Sequence, residues 1–218
     1  MTAWLTALLL LTTQGSRQEV NAWGTAGLNG SVVRGERTPI RVEIDNSNHS
    51  RELVLTLAWA ESGPSQSSLS SARSLSGRRG PAHRMAFSMA AGSHKVLYAT
   101  LIAPPLDGMS VWAFVENSDG KTLAITELAP RLVPPGYRLI ATVGGDRPDG
   151  MDLPGVEIAR LRPSDLPEEW QGYAGLDALV WLDGSVADLR TPAQLDALKT
   201  WVSTGGRLIV ARAHGIEG

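Results

Sequence analysis

Two domains are predicted, an all-β sandwich over residues 17–133 and an α/β domain with a parallel sheet over residues 134–218. Three observations predict them. From Val20 to Pro130 the apolar residues follow period two with turn residues between the runs, and helical periodicity is almost absent. Pro134-Pro135-Gly136 then interrupts the chain, since two prolines forbid helix and remove ladder donors. Beyond it a strand, a capped amphipathic helix and a strand follow in close order, the pattern of a βαβ unit.

Within the first domain, Ile40 to Asp45 (I-R-V-E-I-D) alternates apolar and charged as a strand with one buried face. Asn46 to Ser50 is a turn, and Leu53 to Trp59 returns as a more apolar strand. His94–Ile102 and Ser110–Glu116 are two more strands. Asn117 to Lys121 turns the chain into the partner strand Thr122–Glu127. Short strands so spaced imply a sandwich of immunoglobulin-like type. Gly63 to Ala82, rich in Ser, Gly and Arg, has too little apolar surface to order itself and is expected to be a long solvated loop. The sequons at Asn29 and Asn48 fall in turn sequence where Asn is favoured for backbone reasons alone.

In the second domain, Tyr137–Val143, Val156–Leu161 and Leu176–Leu182 read as strands, the third mostly apolar as strands covered on both faces are. Thr191 is a natural N-cap, Pro192 suits the first helical position and Gln194 completes a capping box. Leu195, Leu198, Trp201 and Val202 share one helical face, Gly205-Gly206 ends the helix, and Arg207–Ala211 is the next strand. The sequence given stops one helix and at least one strand short of a doubly wound domain, so the domain is expected to be truncated.

Composition excludes several functions. Hydrophobic residues make up 43% and charged residues 19%, which removes disordered chains and coiled coils. A net charge of -2 offers no field for nucleic acid. Cysteine is absent, which removes thiolate metal sites and thiol nucleophiles. Ala3 to Leu11 is an apolar run too short to span a bilayer, which needs about 20 residues. With small residues at Gly15 and Ser16 it reads as a signal peptide over residues 1–16.

Leu166 to Gly184 (L-P-E-E-W-Q-G-Y-A-G-L-D-A-L-V-W-L-D-G) and Leu189 to Val210 (L-R-T-P-A-Q-L-D-A-L-K-T-W-V-S-T-G-G-R-L-I-V) resemble a segment of bacterial envelope proteins with a class I glutamine amidotransferase-like, flavodoxin-like domain. Pro39–Asn46 and Ala91–Val96 are similar to the sandwich that precedes it there. The resemblance implies a three-layer α/β fold, a signal segment, and a C-terminal membrane anchor missing from this chain. It transfers no catalytic residue, because true amidotransferases need a Cys nucleophile and a His base.

Other chemistry is poorly represented. Asp183-Gly184-Ser185-Val186-Ala187 lacks the second Gly of a nucleophile elbow. His49, His83, His94 and His214 are scattered, and Glu168 and Glu169 read as first-turn acids after Pro167. Asp146, Asp149 and Asp152 follow the first α/β strand, and Asp183 is expected on the same sheet edge, where ligands of such sheets bind. The sequence therefore points to a non-enzymatic, extracytoplasmic module of a bacterial membrane protein that interacts with another envelope protein, without a cofactor. The alternative is a small-ligand, carbohydrate or calcium site on Asp146, Asp149 and Asp183, and a hydrolase is the remotest reading.

Overall fold

A computed structural model describes residues 19–61, 79–144, 153–183 and 185–211. The first unit contains β1 (Val20–Ala26), β2 (Ser31–Val32), β3 (Arg37–Asn46), β4 (Arg51–Glu61), β5 (Arg79–Met89), β6 (Ser93–Ile102), β7 (Met109–Asn117), β8 (Thr122–Leu128) and β9 (Arg131–Leu132). Two antiparallel sheets form, one in the order β1-β3-β6 and one in the order β5-β4-β7-β8. Their inner faces share one core, with Ile40, Val42 and Ile44 of β3 set against Leu53, Leu55 and Leu57 of β4 and Val111, Ala113 and Val115 of β7. The alternating charges Arg41, Glu43 and Asp45 consequently line the outer face of the three-stranded sheet.

β5 was not legible as a strand; its first four residues belong to the stretch expected to be solvated loop. It pairs with β4. In an immunoglobulin constant domain the corresponding fourth strand joins the other sheet. Because β5 and β6 lie in different sheets, each is the outer strand of its own sheet along the same side of the sandwich.

The second unit is a four-stranded parallel sheet, β11-β10-β12-β13, built from β10 (Arg138–Val143), β11 (Val156–Leu161), β12 (Ala178–Trp181) and β13 (Leu208–Val210). Helix α1 (Pro192–Ser203) connects β12 to β13. Leu139, Ala141, Val143, Leu179 and Trp181 face one way and pack with Ala197, Leu198 and Trp201 of α1. Tyr173 is fully buried in the same cluster and stacks on Trp201 at 5.4 Å.

The expected fold class, a sandwich followed by a three-layer flavodoxin-like domain, is corrected here. The chain is mostly β, and α1 is the one α-helix among the described residues. It covers one sheet face, and among the described residues no helix covers the other. The missing helix between β11 and β12 has a chemical cause. Pro163 and Pro167 lack the N–H that an α-helix needs, so this connection is built from the 3-10 turns Pro163–Asp165 and Trp170–Tyr173. No described helix is long and apolar enough to cross a membrane.

Burial raises the Tyr173 phenol above the usual tyrosine range. A phenol whose folded value exceeds its unfolded one contributes stability that is complete below about pH 10 and is lost as pH rises toward the folded value. Melting temperature should therefore fall above that pH, and Tyr173→Phe should flatten the decline, as a thermal series between neutral and strongly alkaline buffer would reveal.

Candidate functional site

The two units meet along a seam. β2 and β9 pair in parallel, and Leu28, Val33 and Val133 pack into the core of the second unit. Gly172 sits against Pro39, and Gly175 against Val33. The Thr100 hydroxyl donates to Glu169 at 2.8 Å, and Ser31 donates to Glu157 at 3.4 Å. The Thr191 hydroxyl donates to Glu168 at 3.0 Å. Glu168 and Glu169 are therefore joints between elements. Their assignment as first-turn helix acids is corrected, since the turn that follows them is a short 3-10 segment.

A cavity of about 90 Å³ lies in this seam, between Arg41 and Tyr98 of the three-stranded sheet and Leu161, Asp165 and Pro167 of the second unit. Arg41 Nε and the Tyr98 hydroxyl are buried without a hydrogen-bond partner. A polar void of this kind suits ordered water, which satisfies such groups. Arg190 lies over the Tyr98 ring at 4.8 Å. Burial first, and then the like charge of Arg41, hold its guanidinium below the usual arginine range.

Further out on the same sheet face, His94 is gripped by two carboxylates. Its Nδ1 is 2.8 Å from Asp45 Oδ1, its Nε2 is 3.2 Å from Glu43 Oε2, and its ring lies 5.8 Å from that of Trp23. Sequence reasoning treated His94 as an isolated histidine. The signal was present in the strand register, because Asp45 and His94 are directly opposed across β3 and β6.

Of the residues expected to form a ligand site, Asp146 and Asp149 lie outside the described residues, as does Asp152. Asp183 follows β12 at the carboxyl edge of the sheet, is exposed, and already has an interaction partner. Its backbone abuts Gly144, which follows the neighbouring strand end; the N–H of Leu182 and, more distantly, of Asp183 reach Val143 O, at 2.9 and 3.4 Å. Among the described residues no group of three or more His, Asp or Glu side chains is placed to hold a metal ion.

The parallel sheet offers a broader feature. Opposite α1, its second face carries buried Thr142, Ala178 and Val180 at its centre, half-buried Ile140 and Ile158, and exposed Ile209 at its edge, with no helix over it among the described residues. On the edge strand β13, Ile209 is 53% and Val210 60% exposed.

No protein-family profile matches the chain, and no curated protein does. Solved structures with partial likeness include the alkylpurine DNA glycosylase AlkC of Pseudomonas fluorescens, at 17% identity and a TM-score of 0.33, covering 52% of this chain and 30% of that one. The sporulation control protein Spo0M of Bacillus subtilis is 10% identical with a TM-score of 0.34, covering 52% and 49%. A CARDB domain from Pyrococcus furiosus is 13% identical with a TM-score of 0.31, covering 52% and 85%.

Proposed function

We propose that the chain is a non-enzymatic, extracytoplasmic module of a bacterial membrane protein, whose work is to hold another protein of the cell envelope. The observation that carries this reading is the edge strand β13 of the parallel sheet, where Ile209 and Val210 are exposed. Parallel sheets are ordinarily covered on both faces, and an uncovered apolar edge invites a partner. The apolar leader at residues 1–16 and the resemblance of residues 166–210 to envelope proteins support the setting. The absence of cysteine supports a binding role over a thiol enzyme.

A photo-crosslinking amino acid at position 209 tests this in the cells that make the protein. A discrete adduct with an envelope protein is expected from position 209, and none from the exposed position 52 at the start of β4. Ile158→Asp, placing a charge on the same face, should diminish that adduct several-fold. Equal labelling from both positions, or no adduct at all, would overturn the reading.

A further inference from the structure

The side of the sandwich where β5 and β6 part company is a groove of about 550 Å³, within the range of small-molecule sites. Trp59 and Leu101 form part of its lining, both from the inner row of the sandwich. Ala103, Pro104 and Pro105 extend the apolar wall. Trp59 is only 4% exposed, yet its indole N–H has no acceptor. A buried donor without a partner is rare in folded proteins, and the deficit it leaves is for an acceptor. Among the described residues, the charged and titratable groups on this lining are Arg37 and His83, and no Asp or Glu joins them. Trp59, Arg37, His83 and the apolar side chains thus line one groove, with the unpaired indole N–H buried at its wall.

We propose that this groove binds a small organic anion with an apolar body, of the medium-chain carboxylate class. The alkyl part packs along Leu101 and the prolines, and the carboxylate accepts from the indole N–H of Trp59 while Arg37 supplies the opposite charge. The site lies on the sandwich and shares no residue with the exposed edge strand β13 of the parallel sheet, so it stands or falls independently of the envelope-partner reading.

The test uses the full chain labelled with nitrogen-15, whose seven tryptophans give separate indole N–H signals. Trp59→Phe identifies the Trp59 signal; should that variant fail to fold, nuclear Overhauser contacts along β4 assign it. Titration with sodium octanoate should move this signal downfield and saturate with a half-point of about 1 mM, a usual strength for a ligand of that size. Octanol at equal concentration should leave it almost in place. Arg37→Met, a change at an exposed side chain, should weaken octanoate binding about tenfold. A stationary Trp59 signal, an equal response to octanol, a common drift of all the indole signals, or undiminished binding by Arg37→Met would each overturn the proposal.

Discussion

Replacing Gln194 with leucine is expected to lower the stability of the chain by about 3 kcal/mol, read as a shifted midpoint in urea. The Gln194 side chain is fully buried at the start of α1. Its carbonyl oxygen accepts from the backbone N–H of Arg190 at 2.7 Å and of Thr191 at 3.2 Å. Its amide donates to the carbonyls of Leu166 at 2.7 Å and Ser164 at 3.0 Å. Leucine matches its volume but leaves those four backbone groups unpaired. At about 1–3 kcal/mol for each buried group so stranded, partial access to water still leaves a large net loss. A loss below about 1 kcal/mol would mean that water replaces the glutamine readily, and that α1 is docked by its apolar face alone.

Gly144→Ala should cost at least as much. The glycine has a φ of 69°, and a Cβ built there would overlap the backbone carbonyl of Asp183. Backbone on backbone cannot rotate away, so β10 and β12 must separate at their carboxyl ends. Gly155 supplies the control, with a similar φ of 73° and open space around it. Alanine there meets only the left-handed strain, about 1 kcal/mol. A difference of about 2 kcal/mol or more between the two variants is expected in chemical denaturation. Equal effects would remove the close approach as the reason for glycine at position 144.

That pair also illustrates what could be read in advance. Gly144 directly follows the predicted strand Tyr137–Val143, but its requirement comes from Asp183 just past the end of β12, which no local pattern records. The period-two run from Ile40 to Asp45 lies inside β3, and the Thr191–Gln194 capping signature marks the start of α1, because both depend on neighbours close in sequence. β5 escaped notice because an outer strand can carry Arg79-Gly80-Pro81 at its start and still bury Phe87 and Met89 at its end. β1 was hidden for a related reason, its Gly24 lying against the backbone of Arg41 where a side chain has no room. The third layer was inferred by extending one βαβ unit, while Pro163 and Pro167 were the local evidence against a second helix. Of the expected ligand site, only Asp183 is placed. The grip of Asp45 and Glu43 on His94, the seam cavity and the groove beside Trp59 all arise from pairing between distant strands.

The seam between the units bears on the order in which the chain matures. Leu28 and Val33 are synthesised early, yet their apolar partners belong to the second unit, and Ser31 meets Glu157 across 126 residues. Contacts so distant in sequence close slowly, and chains leave the ribosome amino end first. The N-terminal unit therefore cannot finish until Trp181 and α1 have emerged. Until then its loop around Leu28 and Val33 is bare, a natural holding point for a chaperone, and a chain cut short before α1 would keep that grip without release.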